Sequence, residues 1–327
     1  MPEPRSGFVS AGGLREPMIK VEHITKRYGA TVAVNDVSFT VNPGEILGFL
    51  GPNGAGKSTT IKILTGYIVA DEGKVTIGGK DALEHSLEVR QMIGYLPEST
   101  TFYSDMRVID FLTFIARARQ IPPAQFRSAI DRVVQALEIE RMLKKNIGHL
   151  SKGYRQRVGL AQALIHDPPI LIMDEPTSGL DPHQIIEIRE FIRRLGEQKL
   201  VIFSSHILQE ISAICSRILI IKDGKLVANG TPRDLQEKTS TGRKWHVCIE
   251  GPVDAVRARL EKIAGVAKTH VVGGSNSAAE IQVSAADGQD LSGEIFRSAK
   301  DGGWTLTQLV PQSRTLEDVY LHYTENR

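Results

Sequence analysis

Cysteine is scarce in this sequence. Cys215 and Cys248 are the only two cysteines in 327 residues, and neither has another Cys or a His at the spacing of a zinc motif. The pair therefore indicates neither a disulfide-stabilised scaffold nor a zinc site. Two isolated thiols are typical of a protein that works in a reducing compartment.

Long apolar runs are also missing. The longest runs, such as residues 170–173 and 218–221, are short, whereas a membrane-spanning helix needs about 18 apolar residues. Residues 1–17 contain Pro, Gly and Ser and no apolar stretch of signal-peptide length. We therefore predict a loose tail over residues 1–17, no spanning segment and a cytoplasmic location.

The chain carries almost no net charge. Forty Lys and Arg residues stand against 38 Asp and Glu residues, which leaves a formal charge of +2. Residues 240–327 hold 10 basic and 11 acidic residues. So weak a field does not favour nucleic acid as a partner.

The remaining composition is that of a globular protein, with 41% hydrophobic and 24% charged residues. Short β-like segments at 46–50, 170–173 and 200–205 alternate with helical or loop sequence, which predicts a mostly parallel α/β sheet. Residues 18–24 and 31–41 predict additional β structure. Apolar residues spaced three and four apart over 108–120 and 126–143 predict a helical insertion at about 100–168.

A second domain is predicted beyond a polar linker at residues 237–243. From residue 244 the pattern reads strand, helix, strand, strand, helix, strand, which is the order of ferredoxin-like α+β folds. A last helix follows, with Thr315 as its predicted N-cap. We therefore predict a main domain over 18–237 and an accessory or regulatory domain over 238–327.

The segment GPNGAGKS, Gly51 to Ser58, matches the pattern G-x-x-x-x-G-K-[ST] between a predicted strand and a predicted helix. Glycines let backbone amides converge on a polyphosphate, and the helix N-terminus adds its dipole. Lys57 would neutralise phosphate charge, and the Ser58 hydroxyl would bind Mg²⁺. The alternative is a glycine-rich turn with a solvated lysine. The predicted phosphate loop comprises Gly51, Pro52, Asn53, Gly54, Ala55, Gly56, Lys57, Ser58 and Thr59.

Two adjacent carboxylates, Asp174 and Glu175, follow the apolar strand 170–173. Ligands bind at the carboxyl ends of strands in open α/β sheets. Asp174 is predicted to hold Mg²⁺ through its water shell, and Glu175 to polarise the water that attacks the γ-phosphate. For an isolated Asp-Glu pair, a strand end that enters solvent would be the better explanation.

Three further segments identify a family. LSKGYRQRVGLAQAL at 150–164 resembles the LSGGQ signature of ATP-binding cassette (ABC) proteins, and DEPTSGLD at 174–181 and the isolated His206 follow in that family's order. The resemblance covers about residues 18–235. It implies that Tyr28 stacks on adenine, that Asp181 belongs to the loop communicating between two cassettes, and that His206 contacts the γ-phosphate.

The sequence departs from the family pattern at three positions. Lys152 and Tyr154 replace the third and fifth signature residues, and Glu98 replaces the usual glutamine. Ser151 and Gly153 still offer a hydroxyl and a backbone amide. Glu98 retains a metal-ligand role but cannot donate a hydrogen bond as glutamine does. YLPE together with LSKGYRQR resembles the ATPase subunits of ABC-2-type exporters.

The resemblance implies an ATPase that uses ATP and Mg²⁺ and drives a separate polytopic membrane permease. One phosphate loop and one signature per chain imply a second ATPase subunit, predicted to be another copy of this chain. Permease helices are expected to dock near the Glu98 loop and the helical insertion, which places the protein on the inner face of the cell membrane.

Two other functions are alternatives to a transporter ATPase. A soluble ABC protein acting on DNA or ribosomes is disfavoured, because 99 positions between Gly51 and Leu150 leave no room for a long coiled-coil arm and there is no second cassette. A nucleotide-gated assembly or regulatory module stays open because of Glu98. Turnover measurements distinguish that module from a transporter ATPase.

Overall fold

The computed structural model describes residues 18–238, 244–275, 277–286, 289–312 and 316–325. They form two compact units, which divide between Thr231 and Pro232. The predicted domain boundary after residue 237 lies six residues further along the chain. Within the described ranges, no helix has the length and apolarity needed to cross a bilayer.

Residues 18–231 of the first unit form two sheets. One is a four-stranded antiparallel sheet of order β2-β1-β4-β5, and the other is a six-stranded sheet of order β10-β9-β3-β8-β7-β6. The strands are β1 Ile19–Tyr28, β2 Thr31–Val41, β3 Ile46–Leu50, β4 Glu72–Ile77, β5 Lys80–Asp81, β6 Ile93–Leu96, β7 Ile170–Asp174, β8 Leu200–Ser205, β9 Arg217–Lys222 and β10 Lys225–Gly230.

Seven α-helices are described in the first unit. Three of them, α3 to α5, lie between β6 and β7 in the chain and form the predicted helical insertion. The helices are α1 Lys57–Leu64, α2 Ser86–Met92, α3 Val108–Ala118, α4 Phe126–Leu137, α5 Lys152–Leu164, α6 Pro182–Gly196 and α7 Leu208–Ile214.

The central strands of the larger sheet explain where the site lies. β3, β7 and β8 are parallel and completely buried, as their apolar sequences predict for strands covered on both faces. Leu50 pairs with Ser205, and Asp174 pairs with Ser204. The carboxyl ends of the three strands therefore meet at one edge, where the phosphate loop, the two acids and His206 follow.

The described residues of the second unit form an antiparallel sheet of order β12-β13-β11-β14 and four helices. Its core includes Trp245, Val247 and Ile249, which alternate along β11. Thr315, the predicted N-cap of the last helix, lies outside the described residues. The elements are α8 Pro232–Lys238, β11 Lys244–Glu250, α9 Val253–Leu260, β12 Val266–Ser275, β13 Ala278–Ala285, α10 Ser292–Asp301, β14 Thr305–Gln312 and α11 Leu316–Glu325.

The strands and helices from β11 to β14 follow the predicted order of strand, helix, two strands, helix and strand. The ferredoxin-like class itself stays a prediction. The predicted linker at 237–243 is wrong at its start, because Glu237 and Lys238 complete helix α8.

The helix predicted over 126–143 also ends early. Glu138 adopts a left-handed conformation, with φ of 56°, and α4 stops at Leu137. The bend lets Ile139 and Met142 enter the core, where both are buried. The burial of these two side chains therefore outweighs the continued helix that the apolar spacing predicts.

Candidate active site

The phosphate loop connects β3 to α1. Gly56 occupies the N-cap of α1 at φ of 105°, and no side chain caps the helix. A Cβ at this position would lie 2.4 Å from the carbonyl oxygen of Ala33, so only glycine fits. The first amides of α1 lack partners within the helix, which is the arrangement that binds an anion.

Lys57 is folded back into the loop and is only 5% exposed. Its Nζ donates hydrogen bonds to the carbonyl oxygens of Gly51 at 2.8 Å and Pro52 at 3.2 Å. The same atom lies 3.8 Å from Glu175 Oε1. Burial lowers the pKa of the Lys57 ammonium, while Glu175 opposes that shift. The Lys57 ammonium is thus held close to the carboxylate of Glu175, the predicted catalytic base.

Asp174 is the centre of a buried group of oxygen atoms. Its Oδ1 accepts hydrogen bonds from Ser58 Oγ at 3.1 Å and from Ser204 Oγ at 2.6 Å. A carboxylate next to a hydroxyl is a suitable donor set for Mg²⁺, which prefers oxygen and keeps several ligands from water and phosphate. In the part of the chain that is described, no three His, Cys, Asp or Glu side chains assemble a complete metal site. The Ser58 hydroxyl and the Asp174 carboxylate thus supply oxygen ligands of the kind that Mg²⁺ prefers.

Glu175 is 7% exposed and adopts φ of 48°, a left-handed conformation that is uncommon for a non-glycine residue. Its backbone N–H donates to Ser204 Oγ at 3.0 Å, and its Oε2 lies 2.9 Å from His206 Nδ1. Burial raises the pKa of the Glu175 carboxyl, while His206 and Lys57 oppose the rise. A carboxylate of raised basicity beside a histidine is suited to accept a proton.

Lys57, Ser58, Glu175 and His206 line a pocket of about 400 Å³, within the size range of small-molecule sites. The predicted residues Gly51, Pro52 and Asp174 lie outside its lining. Glu98, an exposed residue just after β6, lies on its wall, as the metal-ligand prediction requires. Two lining residues, Ala33 and Ser178, were not predicted. The pocket is lined by Ala33, Asn53, Gly54, Ala55, Gly56, Lys57, Ser58, Thr59, Glu98, Glu175, Ser178 and His206.

The predicted signature residues do not line this pocket. Ser151 caps helix α5, where its Oγ accepts from the Tyr154 amide at 3.4 Å. Asp181 caps α6 by accepting from the Gln184 amide at 2.9 Å. A Cβ on Gly153 would meet the Gln184 side chain at 2.6 Å, so the two helix starts are in close contact. The structure thus separates the predicted residues into two groups.

Tyr28 lies at the end of β1 and is 51% exposed. Its ring centroid lies 5.9 Å from Lys26 Nζ, and the ring does not line the pocket. The adenine-stacking role of Tyr28 therefore stays a prediction.

Sequence reasoning missed Ser204, whose hydroxyl connects Asp174 to the Glu175 backbone. It also missed Gln156, whose Nε2 donates to the Pro176 carbonyl at 2.6 Å and so links α5 to the loop after Glu175. Ser204 is the penultimate residue of the buried strand β8, directly after an apolar run, and this position is the one sequence signal for it. The pairing of β7 with β8, which brings Ser204 to Asp174, is a long-range contact.

Comparisons with known proteins identify the family. A family model described as "ABC transporter" matches residues 34–178. The uncharacterized ABC transporter ATP-binding protein YxlF of Bacillus subtilis (strain 168) is 33% identical over 304 residues, 93% of this chain and 98% of YxlF. The linearmycin resistance ATP-binding protein LnrL of the same organism is 30% identical over 308 residues, 94% of this chain and 98% of LnrL.

Solved structures show the same fold. One of them, described as the dimeric structure of MJ0796, a bacterial ABC transporter cassette, superposes with a TM-score of 0.61 at 25% identity. The match covers 65% of this chain and 98% of that one. The motif order, the pocket built around the phosphate loop and these full-length relatives together show that the chain belongs to the ATP-binding proteins of ABC transporters.

Proposed function

We propose that this chain binds Mg-ATP in the pocket around residues 53–59 and hydrolyses it to drive a separate membrane permease of the ABC-2 exporter type. The observation that carries the proposal is the array of Lys57, Glu175 and His206 at the mouth of the phosphate loop. In this array the buried Glu175 carboxylate lies between two partners. Its Oε1 is 3.8 Å from the buried Lys57 Nζ, and its Oε2 is 2.9 Å from His206 Nδ1.

Each residue has a separate task in this proposal. The loop amides and Lys57 bind the phosphates, and His206 contacts the γ-phosphate. Ser58 and Asp174 hold Mg²⁺ with help from Glu98, and the ion would neutralise charge on the phosphate oxygens when bound. Glu175 orients the attacking water and accepts its proton.

The second half of each site would come from another copy of this chain. Ser151 and Gly153 sit at the positive end of α5 but outside the pocket of their own chain. A helix N-terminus is suited to bind a phosphate. The two groups would meet if two copies associate head to tail across a two-fold axis, with Asp181 between the sites. The dimeric state named for the MJ0796 cassette supports this arrangement.

The permease would dock on the helical insertion. Tyr103 and Phe114 are exposed there, and their rings pack edge to face with centroids 6.0 Å apart. Exposed aromatic pairs are typical anchors of protein interfaces. Docking would place the chain peripherally on the cytoplasmic face of the cell membrane. The second unit would add dimer contacts or regulation, and no nucleic-acid partner is proposed.

The exporter assignment is supported by YLPE at 95–98 together with LSKGYRQR at 150–157. The resistance role in the name of LnrL points in the same direction, since its similarity extends through the second unit. The nature of the exported substrate belongs to the permease.

The catalytic part of the proposal is tested with Glu175→Gln and Lys57→Ala. The first variant should bind ATP, accumulate as a dimer by size-exclusion chromatography and lose at least about 100-fold in turnover, because the base is gone. The second should lose at least about tenfold in ATP affinity by calorimetry, because it loses a charge contact to phosphate. Lys62→Ala, a charge change on α1 outside the pocket, is the matched control.

The transport part is tested by purification from membranes of the native host. A polytopic membrane protein should co-purify and should stimulate ATP turnover. Wild-type turnover in Glu175→Gln would contradict the base assignment, and recovery of only ribosomes or DNA would contradict the exporter. An ATPase with no membrane partner and negligible turnover would instead favour a nucleotide-gated assembly module, which the carboxylate of Glu98 at the pocket keeps as a second candidate.

A further inference from the structure

A second buried carboxylate lies behind the site. Glu210, the third residue of α7, is 2% exposed. Its Oε2 accepts two hydrogen bonds, from Thr177 Oγ1 at 2.6 Å and from Ser205 Oγ at 2.7 Å. Its Oε1 is buried and has no hydrogen-bond partner among the described residues. Neither the motifs nor the pocket lining assigns this residue a role.

The two hydroxyls belong to two different segments of the site, the loop after β7 and the last residue of β8. Thr177 lies two residues after Glu175 and four before Asp181, and Ser205 directly precedes His206. Ser205 Oγ also accepts a hydrogen bond from the Ile207 amide at 3.0 Å, so the backbone on both sides of His206 is fixed through one side chain.

The loop after Glu175 is held from its other side as well. Gln156 of the signature helix α5 donates to the Pro176 carbonyl, one residue before Thr177. A continuous path of contacts therefore runs from α5 through residues 176 and 177 and Glu210 to the loop of His206.

Stability alone does not account for a carboxylate at position 210. Burial of an anion is unfavourable unless all of its oxygens are paired, and an apolar side chain would fill the same space without that penalty. What a carboxylate offers, and an apolar residue does not, is one acceptor that two hydroxyls can share.

We propose that Glu210 is a positioning residue that ties the loop carrying Glu175 and Asp181 to the loop carrying His206. The inference rests on the proposed ATPase function. Glu210 does not line the pocket, and it acts on the chemical step by keeping the Glu175–His206 pair aligned. The binding of ATP, which depends on residues 53–59, does not require it.

The test measures kcat, KM and ATP affinity for Glu210→Ala, Glu210→Gln and Thr177→Val. Glu210→Ala should lower kcat at least about tenfold, since small displacements of reacting groups have large effects on rate. Its KM and its ATP affinity should stay within about twofold. Glu210→Gln should recover most of kcat, because its amide oxygen accepts from both hydroxyls.

Thr177→Val, which removes one hydroxyl and keeps the shape, should lower kcat by itself and add little in the Glu210→Ala background. It also keeps the proposal testable if Glu210→Ala fails to fold. Gln209→Ala, an exposed neighbour on α7, is the control and should match the wild type.

Three results would overturn the inference: wild-type kcat in Glu210→Ala, an equal loss of kcat and ATP affinity, or fully additive effects of the two substitutions. None of these results would contradict the proposed ATPase function. That function is tested separately by ATP binding to Lys57→Ala and by turnover of Glu175→Gln.

Discussion

The surroundings of Glu175 have opposing effects on the pKa of its carboxyl group. Its carboxylate is nearly enclosed, which favours the neutral form, while His206 on one oxygen and Lys57 near the other favour the charged form. Burial is the largest effect, and the pKa of Glu175 is raised. The residue is therefore a better base than a solvated glutamate and still depends on its two neighbours.

The pH profile of hydrolysis should report this balance. Protonated Glu175 cannot accept a proton, so kcat should fall as the pH drops, with a midpoint above the usual range of a glutamate. His206→Gln removes a group that lowers the pKa of Glu175, so the acidic limb should move to higher pH. Steady-state rates from pH 5 to 9 check both results, and a limb that moves to lower pH would contradict the assignment.

Single site residues can be predicted from the sequence where they belong to one short contiguous motif. Two short segments predict that Lys57, Ser58, Asp174 and Glu175 lie near one another, because each segment runs directly from a buried strand into its loop. Ser204 could not be predicted in the same way. Its contact with Asp174 exists only because two strands 30 residues apart pair in one register.

Among the elements, the phosphate loop is the most tightly determined. Gly54 and Gly56 both have positive φ, of 80° and 105°. A Cβ on Gly54 would meet nothing within 4 Å, whereas one on Gly56 would overlap the Ala33 carbonyl of β2. A side chain at Gly54 would therefore cause backbone strain alone, whereas a side chain at Gly56 would cause backbone strain and a steric clash.

Alanine at these two positions should have different effects. Gly54→Ala should lower the free energy of unfolding by about 1–2 kcal/mol from backbone strain alone. Gly56→Ala should lower it further and weaken ATP binding at least about tenfold, because the start of α1 must shift away from β2. Urea denaturation and calorimetry check this, and equal effects of the two substitutions would contradict it.

Some strands can be predicted from the sequence and others cannot. β3, β7 and β8 have apolar sequences that match their complete burial. β4 begins with three exposed residues and β5 has only two residues, so neither shows a clear period. β4 pairs with β1, and β5 pairs with β4. Both pairings depend on tertiary contacts that no local sequence pattern predicts.

At the scale of the whole molecule, the chain has two units with separate cores. Both tryptophans, Trp245 and Trp304, lie in the second unit. Every residue that lines the pocket lies in the first unit. Intrinsic tryptophan fluorescence therefore follows the second unit alone, and calorimetry with ATP follows the first.

Ile281→Ala should separate the two units experimentally. Ile281 is completely buried in the second core, so its truncation should lower the stability of that unit by about 2–5 kcal/mol. The fluorescence midpoint in urea should fall, and ATP affinity should stay unchanged. Val310→Ala, at an exposed position on β14, is the control. A parallel loss of ATP affinity would show that the nucleotide site depends on the second core.

The separation of Ser151 and Gly153 from the pocket of their own chain has a genetic consequence. In the proposed dimer of two copies, a protein with Lys57→Ala and a protein with Ser151→Arg should each be inactive, because both composite sites of each homodimer would be defective. Co-expressed in one cell, the two chains should form mixed pairs in which both substitutions fall on one site and the other site is intact. With random pairing, about a quarter of the sites are restored, so two null alleles should complement each other.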